Sequence, residues 1–208
     1  MSGSINEDID TVSYIIGAIY GQGLREQVNQ FPGHTISIDD LIKGFVNAAS
    51  GDSIYLGMKI EEAQMLISNY FQDYQLREEE NHKIEAEKFL AENKGKSGVN
   101  TTESGLQYKV ITESTGTKPK EDDTVIIHYT GTLIDGEEFD SSVKRREPAE
   151  FPVKNVIPGL TEGMQLMTVG SKYMFWIPIE LGYYNSPGNP YNNKFLIFEV
   201  ELLEIVSE

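Results

Sequence analysis

The sequence predicts an α+β protein in two parts: an all-α first part that ends in a long helix, then several antiparallel strands around one short helix. Three observations predict it. Up to about Lys94 the apolar residues recur at spacings of three and four, and from about Asn100 they mostly alternate. Between these regimes Gly95-Lys96-Ser97-Gly98 has the composition of a hinge, so the expected domains are residues 1–98 and 99–208. Finally, 208 residues with 39% hydrophobic and 24% charged side chains can bury a core and do not describe a disordered chain.

The first helix is expected over residues 10–30. Ile15, Ile16, Ile19 and Tyr20 form its apolar face, continued by Leu24 and Val28. Gly17, Gly21 and Gly23 each cost about 1 kcal/mol against Ala in a helix interior, and small residues let another helix come close. Phe31-Pro32-Gly33 stops it. Ser37 followed by Asp40 resembles a capping box, opening a short helix that presents Leu41, Ile42, Phe45 and Val46 and ends at Ser50-Gly51-Asp52. A third helix is expected over residues 59–94, about 50 Å long. Ile60, Ala63, Ile67, Tyr70 and Tyr74 make a coiled-coil seam in its first half. Its second half, beginning Arg77-Glu78-Glu79-Glu80-Asn81-His82-Lys83, offers no apolar face and reads as a solvent-spanning rod. Three helices with so many apolar residues and a bare stalk lack partners in one chain, which predicts a homodimer. The alternative is a self-contained helical bundle packed on the second domain.

In the second part, residues 105–111, 124–130, 172–178 and 195–206 read as strands, with a tight turn at Asp135-Gly136. Residues 156–164 read as the one short helix, with Pro158 in its first turn.

Composition excludes several chemistries. A net charge of −16 repels nucleic acid backbones and anionic lipid. With no cysteine there is no disulfide, thiolate metal site or thiol nucleophile. His34, His82 and His128 have no metal-ligand spacing, and no phosphate loop or nucleophile elbow occurs, so neither metal nor cofactor is expected. No apolar run is long enough to span a membrane. Met1-Ser2-Gly3-Ser4 has no basic or apolar leader character and fits a cloning remnant ahead of a mature exported chain. What remains is a dense set of aromatic and aliphatic residues with one carboxylate: Tyr129, Phe139, Asp140, Val156, Ile157, Tyr183 and Phe198.

Their order resembles a known family. Residues 125–131 (Val-Ile-Ile-His-Tyr-Thr-Gly), Asp135-Gly136, Phe139-Asp140-Ser141-Ser142, Val156-Ile157-Pro158-Gly159 and Phe198-Glu199-Val200-Glu201-Leu202-Leu203 are similar in order and spacing to the FKBP-type peptidyl-prolyl cis-trans isomerases. Residues 8–98, through Ser13-Tyr14-Ile15-Ile16-Gly17, the charged helix and Phe89-Leu90-Ala91-Glu92-Asn93-Lys94, resemble the N-terminal domain of the macrophage-infectivity-potentiator class. The resemblance implies a homodimer of exported, periplasmic or outer-membrane-associated type (alternatively cytoplasmic), acting on unfolded or prolyl-containing polypeptides, with an immunosuppressant macrolide as a candidate ligand. It implies an antiparallel half-barrel sheet wrapped on one short helix, with aromatic walls from Tyr129, Phe139 and Phe198, a ligand-binding backbone N–H on Ile157, a rim carboxylate on Asp140 and a substrate-directed hydroxyl on Tyr183. Val156, Leu160, Ala149 and Phe151 complete the implied substrate site. Leu160 stands where the family usually places a tryptophan floor, Ala149 replaces an aromatic, and the 184–193 loop lacks the usual Gly and Ile-Pro-Pro. The altered pocket leaves an alternative function, a prolyl-peptide binding or chaperone module with weak turnover. By strand alternation Phe175 and Ile177 share one face and Trp176 takes the other; the resemblance implies that Phe175 and Ile177 face the core, which puts Trp176 outside the pocket.

Overall fold

The computed structural model describes residues 9–28, 36–51 and 57–206. The chain divides into two compact units, residues 1–76 and 77–208. The division falls inside a helix, so the last turns of that helix belong with the sheet and not with the helices before it.

The first unit holds α1 (Ile9–Val28), α2 (Ile38–Ser50) and the first half of α3 (Ile60–Asn93). Ser37 caps α2 by accepting a hydrogen bond from the Asp40 N–H at 3.2 Å, and Gly51 ends it in the left-handed conformation at φ 76°. The stop signal at 31–33 and His34 lie outside the described residues. Among the described residues of this unit only Val28 and Ala63 are buried. Tyr14, Ile16, Ile19, Tyr20, Phe45, Leu66 and Ile67 are all exposed, Tyr14 by 78%. A Cβ added to Gly17, Gly21 or Gly23 would meet nothing within 4 Å, so nothing described in this chain accounts for glycine there. Among the described residues no helix is long and apolar enough to cross a membrane.

The second unit is built on a seven-stranded antiparallel sheet. Its strands are β1 (Val99–Thr101), β2 (Gln107–Thr112), β3 (Thr124–Thr132), β4 (Glu138–Ser141), β5 (Ala149–Pro152), β6 (Lys172–Ile177) and β7 (Leu196–Val206). The order is β1-β2-β6-β7-β3-β4, with β5 also pairing with β3. Alternation does what the sequence suggests: Val125, Ile127 and Tyr129 on β3 are buried, as are Leu196, Phe198, Val200 and Leu202 on β7. These residues face α5 (Pro158–Leu166), which contributes Leu160 and Met164 to the same core. Gly159 and Gly163, one turn apart, let α5 lie close to β6. A Cβ on Gly159 would sit 2.5 Å from Ile177, and one on Gly163 would sit 2.7 Å from the Phe175 ring.

The second half of α3 departs from the expected solvent-exposed rod. Ala86 is 3% exposed and Asn93 is fully buried. Ala86, Phe89 and Leu90 pack with Trp176, Ile179, Phe195 and Ile197 on the face of the sheet opposite α5. The Phe89 and Phe195 rings lie 5.2 Å apart. The Asn93 amide donates to Gln107 Oε1 at 2.9 Å, and Gln107 Nε2 donates to the Leu90 carbonyl at 2.8 Å. This stripe at 86, 89, 90 and 93 is helical, but an alanine and an asparagine carry two of its four positions, so a count of large apolar residues passes over it.

Candidate functional site

Between α5 and the concave face of the sheet lies a hollow of about 710 Å³. Nine of the ten residues expected at the site line it: Tyr129, Phe139, Asp140, Phe151, Val156, Ile157, Leu160, Tyr183 and Phe198. The tenth, Ala149, does not. It pairs with Ile127 at the β3–β5 edge and packs against the same core as Phe151, with which it shares a face of β5, but only the larger Phe151 side chain lines the hollow.

The walls follow from the strands that carry them. Tyr129 on β3 and Phe198 on β7 have ring centroids 6.2 Å apart, and Phe139 on β4 meets Phe198 edge-on at 5.5 Å. They come together over Gly131, where a Cβ would stand 2.6 Å from the Phe139 ring and 3.0 Å from the Phe198 ring. The residue pattern at 125–131 includes this glycine, but its reason appears only in three dimensions.

The Phe139-Asp140-Ser141-Ser142 run carries four separate tasks. Phe139 is a wall. Ser141 caps α4 (Ser142–Arg145) by accepting from the Lys144 N–H at 3.2 Å. Ser142 Oγ accepts from the Tyr129 N–H at 2.8 Å, fixing that residue's backbone, and lies 3.0 Å from His128 Nδ1. Asp140 accepts from the Tyr129 hydroxyl and from Arg145 Nη1, while Arg145 Nη2 donates to the Tyr129 hydroxyl at 3.0 Å. Desolvation pushes the Asp140 carboxyl up, but the hydrogen bonds from Tyr129 and Arg145 outweigh it and hold it below the usual carboxylate range. Burial, then the bond to Asp140, raises the Tyr129 phenol. Arg145 escapes sequence reasoning. The signal available was Lys144-Arg145-Arg146, a basic run directly after the Asp-Ser-Ser motif in a strongly acidic chain.

Ile157 stands at the N-terminus of α5, ahead of Pro158. Its N–H donates no hydrogen bond among the described residues, while its carbonyl accepts from Leu160 and Thr161. Leu160 and Met164 line the floor. A further side comes from the segment after β6, where Tyr183 is raised above its ordinary pKa by burial, then by the nearby Asp140 charge. Tyr191, also absent from the expected set, lies 4.5 Å from Phe139 and 6.3 Å from Tyr183, ring to ring. Trp176 is not part of the hollow and packs beneath α3.

A family model described as FKBP-type peptidyl-prolyl cis-trans isomerase matches residues 115–203, and one for the domain amino-terminal to that isomerase matches residues 9–110. The FKBP-type isomerase FkpA of Aeromonas hydrophila is 42% identical over 205 residues, covering 92% of this chain and 74% of the relative. The chain belongs to the FKBP-type peptidyl-prolyl cis-trans isomerases. A protein named outer membrane protein MIP from Legionella longbeachae is 39% identical over 97% of this FKBP-type chain and 88% of its own length. The crystal structure of FkpA from Escherichia coli matches with a TM-score of 0.78 at 32% identity, covering 96% of this chain and 97% of that one. As a member of the family the chain is an enzyme that interconverts cis and trans X-Pro bonds.

Proposed function

We propose that the hollow between α5 and the sheet is where this isomerase receives prolyl peptides, with Tyr129, Phe139, Ile157, Leu160 and Phe198 surrounding the proline ring. The observation that carries this reading is the convergence of three aromatic walls, Phe139 and Phe198 meeting over Gly131 and Tyr129 beside Phe198, next to a hydrogen-bonded carboxylate. Rotation about an X-Pro amide is opposed by a resonance barrier of about 18–20 kcal/mol. No nucleophile is required, because the protein need only favour the twisted amide over the planar one. A twisted amide has lost resonance and its carbonyl is less polar, so an apolar hollow desolvates it at lower cost than the planar form. The proline ring is held in the hollow while the preceding residue turns. The Ile157 N–H is available to a substrate carbonyl, and Asp140, fixed by Arg145 and Tyr129, and Tyr183 orient the peptide backbone.

Residues 1–98 serve as the dimerising and stalk region. The support is an N-terminal unit with two buried side chains among its described residues, exposed apolar faces on all three helices, and three glycines without a described neighbour. Two hollows on one frame then hold a long unfolded client, which gives the dimer a chaperone role beside its chemistry. One relative carries the name outer membrane protein, which favours a periplasmic or outer-membrane location for this chain too. The hollow is also the candidate site for a macrolide.

The test is a protease-coupled isomerisation assay on a prolyl tetrapeptide. Phe198→Ala should lower kcat/KM at least tenfold while the fold is retained, because it opens the wall that holds the proline. An unaffected kcat/KM in a folded Phe198→Ala protein would move the site elsewhere.

A further inference from the structure

One wall of the hollow is made by a loop that tethers itself with asparagines. In residues 184–193, Asn189 Oδ1 accepts from the Tyr191 N–H at 2.8 Å and Asn192 Oδ1 accepts from the Ser186 N–H at 2.8 Å. These bonds set Tyr191 against Phe139 and Tyr183. Asn193 closes the loop. It sits in the left-handed region at φ 53°, a conformation asparagine tolerates better than most residues. Its N–H donates to the Tyr183 carbonyl at 3.1 Å, and its Oδ1 accepts from the Asn185 N–H at 3.1 Å. Its remaining group, Nδ2, leaves the loop altogether and donates to Glu79 Oε1 on α3 at 3.2 Å. Two residues further on, Phe195 is held against Phe89 of the same helix.

We propose that Asn193 and Glu79 are positioning residues of the isomerase site: α3 fixes the loop that places Tyr183 and Tyr191, and so sets how tightly the peptide is held. The inference rests on the reading of the hollow as the prolyl site. It gives the second half of α3 a part in substrate binding although none of its residues lines the hollow.

The experiment uses the full chain and compares four variants by KM and kcat on a prolyl tetrapeptide. Asn193→Gly keeps the left-handed backbone and removes both side-chain bonds. Glu79→Ala removes the acceptor, and Glu79→Gln keeps one. The Asn193→Gly/Glu79→Ala double variant closes the cycle. The expected result is a KM raised about threefold in Glu79→Ala, the scale of one exposed hydrogen bond, and by at least as much in Asn193→Gly, which also loses the bond from Asn185, with kcat unchanged. The Glu79→Gln variant should return KM to the parent value. The double variant should be no worse than the poorer single one, because both remove one link. Unchanged emission from Trp176, which lies under α3, shows that the helix stays docked. An unchanged KM in both single variants, or effects that multiply in the double variant, overturns the coupling. Phe198→Ala, run alongside, separates the two failures. If it loses activity while Asn193→Gly does not, only the coupling falls; if it keeps full activity, the site itself is misplaced.

Discussion

Single residues in the hollow have separable consequences. Leu160 lies on the floor and Trp176 on the opposite side of the sheet. Adding a prolyl ligand or a macrolide should therefore leave intrinsic tryptophan emission almost unchanged, whereas Leu160→Trp should give a clear titration and bind about 1–2 kcal/mol more tightly, as the added aromatic area suggests. A strong response from the unmutated protein would contradict both placements. Asp140 gives the acid limit. Its folded pKa is depressed, so its contribution to stability is fully present above the ordinary carboxylate value and is lost as pH falls through the lower folded value. Stability and kcat/KM should hold at neutral pH and decline together below about pH 4. In Arg145→Ala the activity limb should move to higher pH and the acid-dependent part of the stability should shrink, since one of the two side chains depressing the carboxyl is gone. Identical acid limbs in the two proteins would remove Arg145 from the account.

At the scale of elements, contact between α5 and β6 depends on the absence of side chains. Gly163→Ala would put a methyl group 2.7 Å from the fully buried Phe175 ring. The expected cost is about 1–3 kcal/mol, read as a lower urea midpoint at constant slope. A midpoint within error of the parent would mean the helix can retreat freely. Long elements were legible in the sequence because periodicity accumulates over their length: α2, α3, β3, β6 and β7 lie within a few residues of expectation. The strands β4 and β5 and the single turn α4 were not legible, since four residues hold too few alternations to outvote chance. For the candidate site the legible signal was the order of the motifs, and nine of the ten residues it named line one hollow. Ala149 falls outside the lining, because alternation puts it on the same face of β5 as Phe151 and does not say which of the two reaches the hollow. Arg145 and Tyr191 were missed because each acts through a loop or a single turn, where no periodicity marks which way a side chain points.

For the whole molecule, the two units differ in how far each completes its own interior. The second buries a continuous core, while the described part of the first leaves tyrosines, isoleucines and a phenylalanine in water. Light scattering on the full chain at tens of micromolar should give twice the monomer mass, and residues 77–208 alone should give one. A monomeric full chain would mean that the exposed faces are covered in some other way. The 77–208 fragment should also melt higher than 99–208, which would expose Trp176, Phe195 and Ile197. Equal melting temperatures would show that the helix adds nothing. The division inside α3 has a consequence for hydrogen exchange. One uninterrupted ladder of amides is shared by two cooperative units, so protection along it should fall into two plateaus with a step near Leu76. Dilution below the dissociation constant of the dimer should lower the first plateau and leave the second in place, making this helix its own internal gauge of subunit exchange.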